Sequence, residues 1–387
     1  MSEPKQIIFI NSHPIQYFAP LYRYLCSNGL QVQCWYCSYE TVSGHIDKQF
    51  STQVQWDVPL LEGYKYLFFA NRSFRPSLYH GFFGLFNPGM IVQLFKEKKS
   101  VVVVHGWAYL THLLVIFFGK LAGHTMCLRG ESPYHQEALR PPSVKRLKKL
   151  FLGKILFKFI DWFLYIGDQN KRFYEWLGVD AKFLCWAPYA VDNARFQKEA
   201  KIWKSDLVRL KQQLGLPLEK KVILYSAKYI SKKRPLDLIQ AFHLMQDDNT
   251  CLVMVGEGEL RKQMEQYVKN HGIKNVFLTG FVNQSTIPKY YAVADVFVLC
   301  SGIGETWGLS VNEAMNFDIP VVVSDISGCA TDLIQTGKNG FIFQTSNVAS
   351  LVQGIQQALD MGKIDNVEVM DRYSFRTIAK SLLSVSR

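Results

Sequence analysis

The chain predicts an α/β protein built from two doubly wound parallel sheets. Three observations carry that prediction. Short apolar runs alternate with amphipathic segments along the whole of the 387 residues, the rhythm of a parallel sheet covered by helices. The rhythm pauses once, at Pro188 to Phe196, which reads as a linker between two halves of similar size. Finally, 387 residues with 48% hydrophobic and 20% charged side chains are enough for two ordinary domains, each with its own core.

In the first half, strands are expected near 7–11, 31–38, 101–105, 125–129, 162–166 and 183–187. Leu113–Gly119 is the most apolar helix candidate; His112 and Lys120 bracket it, and it reads as a buried helix between two strands. Past the linker, Glu199–Leu214 reads as one charged amphipathic helix. Strands near 222–227, 251–255, 276–279, 296–299, 321–324 and 341–343 then make the second sheet, with a helix at Ile287–Ala294.

Several function classes drop out. Glu3 and Lys5 lead straight into the strand Ile7–Ile10, without the pattern of a secretory signal. No stretch reaches ~18 uninterrupted apolar residues, the length of a membrane span. The eight cysteines are scattered, which fits a reducing cytoplasm. Cys34 and Cys37 form an isolated Cys-x-x-Cys in a strand, where odd spacing turns the thiols to opposite faces. No Gly-x-Gly-x-x-Gly follows the first strand, and no helix-turn-helix, RNA-recognition or zinc-finger pattern is present.

Charge is uneven. Residues 1–190 hold 21 Lys and Arg against 12 Asp and Glu, or +9, whereas residues 191–387 hold 23 against 20, or +3. The run 140–159 carries seven basic residues and no acid, mixed with Phe, Leu and Ile. It suits an anionic membrane surface. The lysines do not share one clean helical face, so a helix packed on the sheet with its lysines reaching out to water fits as well.

The most informative stretch is Cys300–Ile334. Glu305 and Glu313 stand eight apart, Gly308 falls between them, and the strand Val321–Val323 comes next. The layout reads as loop, helix, strand, with the helix beginning near Leu309. Unpaired amides at a helix start attract anions, so the amides of Leu309, Ser310 and Val311 suit a diphosphate. Glu313 would lean back toward the same ligand and accept from ribose hydroxyls, and Glu305 would face whatever hangs off the far phosphate. An ordinary surface helix with two acids near its positive end has the same spacing. Upstream, Tyr225–Phe242 places Lys228 and Lys233 in a turn before Pro235 and a helix; a solvated basic turn is the plain alternative. Val253–Glu259, with Gly256, and Leu278–Val282, with Phe281, are strand ends of the kind any α/β protein has.

Together these segments resemble the retaining glycosyltransferases of family 4, whose fold is GT-B: two Rossmann-like domains facing across a cleft. Ser301, Glu305, Gly308, Glu313, Ala314 and Met315 match the family's Glu-x7-Glu region; Pro320, Gly328 and the turn Gly337–Phe341 match the family's strand and turn downstream of it. Thr306-Trp307 departs from the usual Pro-Phe, and Asn316-Phe317-Asp318 from Ala-x-Gly. Lys228 stands where Arg is common, giving up bidentate geometry; Lys233 holds the usual lysine position.

The resemblance implies an acceptor-side domain over 1–190, joined by a final helix at 371–387, and a nucleotide-sugar domain over 196–370. It implies that Glu305, Lys228 and Lys233 carry catalysis by supporting the charge that gathers on the departing nucleoside diphosphate. Donor contacts fall to Glu313, Leu309, Ser310, Gly308, Trp307, Phe281, Val282 and Gly256. In the first domain, the family's donor-sugar residue at a strand end, often His, points to His105, Arg129 and Glu131, with His13 in the loop after the first strand; that loop lacks the family's glycines. With no Asp-x-Asp, neither metal nor other cofactor is expected beyond the donor substrate. The run NSHPIQYFAPLYRYL with RGESP and YIGDQN more loosely resembles a subset that assembles bacterial polysaccharides, implying UDP-glucose and a polysaccharide or lipid-linked saccharide acceptor. The expected partners are the nucleotide sugar, that saccharide and an anionic membrane through 140–159; nucleic acid is not among them. The expected place is the cytoplasm, or peripherally the inner face of a membrane. A nucleotide-sugar epimerase and a non-catalytic sugar-nucleotide-binding protein share the same fold.

Overall fold

A computed structural model describes residues 5–42, 45–47 and 52–386, the side chains of 45–47 and 52–54 excepted. Glu3 and Arg387 lie outside the described residues. The described chain forms two compact units. The first comprises the described residues up to His45, Pro59–Tyr189 and those from Ser374 on; the second comprises Ala190–Tyr373 with the described part of 46–58.

Unit 1 is built on a seven-stranded sheet: β1 (Ile7–Asn11), β2 (Val32–Tyr36), β3 (Lys65–Phe68), β4 (Val101–His105), β5 (Thr125–Arg129), β6 (Trp162–Tyr165) and β7 (Leu184–Trp186). The order is β3-β2-β1-β4-β5-β6-β7, and each recorded neighbour pair is parallel. The β1 run IIFIN and the β4 run VVVV are buried without alternation, as strands covered on both faces must be. The helix Phe375–Ser386 lies in this unit: Ser381 Oγ donates to the Trp186 carbonyl, and the Tyr24 and Phe375 rings stand 5.8 Å apart.

Unit 2 repeats the plan with β8 (Lys221–Ser226), β9 (Thr250–Val255), β10 (Val276–Gly280), β11 (Val296–Leu299), β12 (Val321–Ser324) and β13 (Gly340–Phe343), in the order β10-β9-β8-β11-β12-β13, all parallel. In each sheet the chain moves outward on one side of its first strand and then returns to the other side. The reversal falls between β1 and β4 in unit 1, and between β8 and β11 in unit 2. Loops at the carboxyl ends of such strand pairs part and leave a ligand crevice.

The structure corrects four expectations. The strand β3, an exposed edge with the sequence KYLF, has no long apolar run to announce it. Glu199–Leu214 is not one helix: Asn193–Trp203 and Leu207–Gln213 are separated by a tight turn at Lys204–Asp206, and the Asp206 carboxylate caps the second by accepting from the Arg209 amide at 3.0 Å. The helix at Leu113–Gly119 runs from Leu110 to Leu121, and it is only half buried, with Phe117 and Leu121 exposed. In the basic run, the helix Pro142–Lys148 has no buried residue and passes into wider π-type turns at Lys149–Ile155; Leu147, Leu150, Phe151 and Ile155 are exposed while Leu152, Leu156 and Phe157 reach the core.

The place of the last helix is open to test. Leu382 is 1% exposed, so Leu382→Ala should cost about 2–5 kcal/mol. Calorimetry should show the unfolding transition of unit 1 moving down and that of unit 2 unmoved.

Candidate active site

Two loops flank the chain reversal of unit 2. The first follows β8 and carries Lys228 to Lys233; the second follows β11 and carries Cys300 to Gly308. Their closest tie is an ion pair: the Lys233 ammonium donates to Glu305 Oε2, which also accepts from Ser301 Oγ at 2.7 Å. Glu305 is 6% exposed. Burial pushes its carboxyl up, but Lys233 and Lys232, with the hydrogen bonds from Lys233 and Ser301, outweigh burial and hold it below the usual carboxylate range. Lys232 donates from Nζ to the Gly304 carbonyl at 3.2 Å, closing a second link between the loops. The buried Tyr225 hydroxyl reaches the carbonyls of Lys228 and Lys233, at 3.2 and 3.3 Å, and so fixes the backbone under both lysines.

Gly308 adopts φ +112, and a Cβ there would stand 2.6 Å from Leu299 Cδ2; only glycine makes this turn without strain. The helix Leu309–Met315 starts directly after it. The Val311 amide already donates to the Gly308 carbonyl at 2.9 Å, so of the three amides expected at an anion it is spent, and Leu309 and Ser310 remain as the helix start. Glu313 is 2% exposed; it accepts from the Tyr291 hydroxyl at 2.7 Å and from Gln284 Nε2 at 3.4 Å. Gln284 is held in turn by Arg195, at 2.8 and 2.9 Å. This clamp fixes the orientation of the Glu313 carboxylate.

The other expected donor contacts divide. Trp307 turns inward: it is 2% exposed, its Nε1 donates to Asn312 at 2.8 Å, and its ring lies 5.8 Å from Tyr373. Its carbonyl accepts from the Cys329 amide at 3.2 Å. Gly256 is required by close approach, since a Cβ would stand 2.0 Å from the Ala227 carbonyl oxygen, and its amide donates to Gly280 at 3.0 Å. Phe281 and Val282 are half buried in the loop after β10. Sequence reasoning missed what lies on that loop. Asn283 Nδ2 donates to the Gln55 carbonyl at 2.6 Å, the Asp57 carboxylate accepts from the Ser285 amide at 3.1 Å, and Trp56 packs edge-on to Phe281 with ring centres 6.0 Å apart. Tyr225, Ser301, Gln284, Tyr291 and Arg195 were also missed. Only Ser301, four residues before Glu305, stood in a recognisable motif position.

In unit 1, the expected residues gather at the carboxyl ends of β1, β4 and β5. His105 is buried against Phe18, with ring centres 4.5 Å apart, and its Nε2 is buried without a hydrogen-bond partner. Burial first, then Arg129 and His112, push its imidazole well below the usual range, so it is neutral. Arg129 is 4% exposed, donates to the Pro188 carbonyl at 3.3 Å and lies over the Tyr189 ring at 5.0 Å. The Tyr189 hydroxyl donates to Glu131, and His13 Nδ1 stands 2.9 Å from Ser12 Oγ.

Breaking the central pair has a calculable cost. Lys233→Met leaves a buried carboxylate without its closest cation, a loss of about 3–5 kcal/mol. The penalty should be largest above about pH 4.3, where free Glu is ionised, and shrink as pH falls and Glu305 takes up a proton. Thermal melts across pH, with Lys233→Met/Glu305→Gln regaining most of the loss, check both points.

The chain is similar to known proteins in sequence and in fold. Residues 208–374 match the family of glycosyl transferases group 1. A glycosyltransferase of Methanocaldococcus jannaschii is 30% identical over 187 residues, 46% of this chain and 47% of that protein. An α-1,4-N-acetyl-D-galactosaminyltransferase of Campylobacter jejuni, named for an undecaprenol diphosphate-linked saccharide, is 25% identical over 269 residues, 68% of this chain and 67% of that one. The chain spans about half the length of the first curated relatives it matches. Among solved structures, HepE of Anabaena in complex with UDP and glucose superimposes with a TM-score of 0.71 over 98% of both chains at 16% identity, a likeness of fold. The chain therefore has the GT-B type of fold, and its stretch 208–374, which holds Lys228, Lys233, Glu305 and Glu313, matches the glycosyl transferases group 1 family.

Proposed function

We propose that the chain is a retaining, UDP-sugar-dependent glycosyltransferase that moves a hexose, glucose in the first instance, onto a polysaccharide or lipid-linked saccharide. The observation that carries this reading is the buried Lys233–Glu305 pair at the chain reversal of unit 2, beside the clamped carboxylate of Glu313. Glu313 accepts from the ribose hydroxyls. Glu305 holds the donor sugar, its charge kept by the surrounding lysines. Lys228 and Lys233 support the negative charge that builds on the leaving diphosphate, together with the amides of Leu309 and Ser310. Fixed cations stabilise that charge more in the transition state than in the ground state, which is the work a divalent metal does in other designs. In unit 1, neutral His105, with an unsatisfied buried nitrogen, and the Arg129–Glu131 segment offer polar groups to the sugar side. UDP-glucose is favoured by the HepE structures, which hold UDP, glucose and UDP-glucose. A lipid-linked acceptor is favoured by the Campylobacter relative.

Among the described residues no helix is long and apolar enough to cross a membrane. The exposed Leu147, Leu150, Phe151 and Ile155 among the cations of 140–159 favour peripheral contact with an anionic membrane over a helix packed on the sheet.

Two measurements test the roles. Glu305→Gln should retain UDP affinity and lose transfer by at least about a hundredfold, the scale of one electrostatic group in a site; transfer at the wild-type rate would remove Glu305 from the chemistry. Glu313→Ala should weaken uridine and UDP alike in calorimetry, whereas Lys228→Ala should weaken UDP far more than uridine. Transfer should survive EDTA, and a strict Mn²⁺ or Mg²⁺ requirement would overturn the metal-free reading.

A further inference from the structure

Unit 1 carries a built surface loop that seats Leu78 and Leu85 against the core but leaves other apolar groups uncovered. Residues 71–86 connect β3 to the helix Pro88–Lys96, and their neck is pinned. Asn71 Nδ2 donates to the Gly84 carbonyl at 2.9 Å, and Asn71 Oδ1 accepts from the amides of Ser73 and Phe86 at 3.0 and 2.9 Å. The Arg72 amide donates to the Phe86 carbonyl at 2.7 Å, and the Ser77 amide to that of Gly84 at 3.1 Å. A loop fixed this firmly would be expected to turn its rings inward. Instead Phe74 is 95% exposed and Phe83 69%. Large apolar groups held rigidly in water mark a surface that meets something apolar.

The same loop is cationic. A cavity of about 490 Å³ is lined by Arg72, Arg75 and His80 together with Phe74, Phe83 and Phe86. Among the described residues no carboxylate pairs with Arg72 or Arg75. Guanidinium groups match phosphate oxygens in a bidentate fork. The surroundings extend the pattern. The helices Pro88–Lys96 and Leu110–Leu121 expose Val92, Phe95, Phe117 and Leu121. Phe117 in turn packs on Phe159, with ring centres 5.2 Å apart, so the apolar layer continues to the basic run. Residues 72–160 hold 14 Lys and Arg against 3 Asp and Glu, or +11 of the chain's formal +12. One of the three acids, Glu137, is buried and paired with Lys148 and Arg140.

We propose that the loop 71–86 is a lipid-headgroup site: Arg72 and Arg75, with His80, take the phosphate of an anionic membrane lipid, while Phe74 and Phe83 enter the boundary of the acyl chains. The partner is committed by charge complementarity. An apolar second protein would have no need of the exposed cations around these rings, whereas an anionic leaflet answers both the rings and the cations. The proposal deepens the reading that the protein works at a membrane, and it adds a site separate from 140–159.

The experiment is co-sedimentation of the whole protein with phosphatidylcholine vesicles, with and without phosphatidylglycerol. UDP binding by calorimetry serves as the control for folding. Arg72→Gln/Arg75→Gln should lower partition to the anionic vesicles about 25-fold, at about fivefold for each near-surface cation. Phe74→Ser/Phe83→Ser should lower it on the order of tenfold or more, and Phe74→Trp should add a blue-shifted emission only when anionic vesicles are present. A parallel variant replaces Lys145, Arg146, Lys149 and Lys154 with Ser and spares Lys148, whose removal would strand Glu137. If that variant loses the vesicles and the loop variants keep them, the headgroup site is wrong and the membrane reading stands. If the wild-type protein ignores anionic vesicles at low salt, both fall. Release from vesicles by millimolar inorganic phosphate, dependent on Arg72 and Arg75, would overturn the lipid in favour of a free anion. Loss of a dimer on removing Phe74 and Phe83, with vesicle binding unchanged, would overturn it in favour of self-association.

Discussion

The ion pair between Lys233 and Glu305 is the constraint on which the rest of unit 2 depends. It joins the loops that follow β8 and β11, beyond the paired residues of the two strands. A carboxylate as buried as Glu305 is stable only with a cation and further donors close by, and it has Lys233, Lys232 and Ser301. The loop geometry follows from that requirement. The Gly302 amide donates to the Lys232 carbonyl at 2.8 Å, and the Gly328 amide to that of Glu305 at 3.3 Å. Gly328 has no room for a side chain, because a Cβ would stand 1.8 Å from the Thr306 carbonyl oxygen. Three segments distant in sequence are thereby locked around one charge. Lys232 and Lys233 are thus fixed in place by the fold itself.

Unit 1 follows a different electrostatic plan. The groups at the carboxyl ends of β4 and β5 are held among aromatic rings rather than opposite charges. His105 lies against Phe18 and is kept neutral by burial and by Arg129; Arg129 is carried over Tyr189 and anchored on the Pro188 carbonyl. A neutral imidazole and a sheltered guanidinium suit hydrogen bonding to hydroxyls. Most of the other cations of 72–160 lie at the surface, on a layer that leaves its rings and leucines uncovered.

The sequence by itself determined the fold class, because a doubly wound sheet needs nearly continuous apolar strands at regular intervals, and those are local patterns. It also marked the segment that matches the group 1 glycosyl transferases, since Glu305, Gly308 and Glu313 stand in one contiguous motif whose turn only glycine can make. Only the tertiary structure decided the partners of those groups. Tyr291 and Gln284 clamp Glu313 from 22 and 29 residues away, and Lys233 meets Glu305 across 72. Such pairings depend on how loops converge at a sheet's edge, which no local periodicity records. The same reason explains the misreadings. Trp307 sits at a motif position facing the donor loop, yet Asn312 and Tyr373 draw its ring inward. The strand β3 forms because β2 offers it an unpaired edge, not because KYLF demands it. Whether the rings of 140–159 and of the 71–86 loop face the core or the solvent was likewise a question of which neighbours fold over them, and only the folded chain answers it.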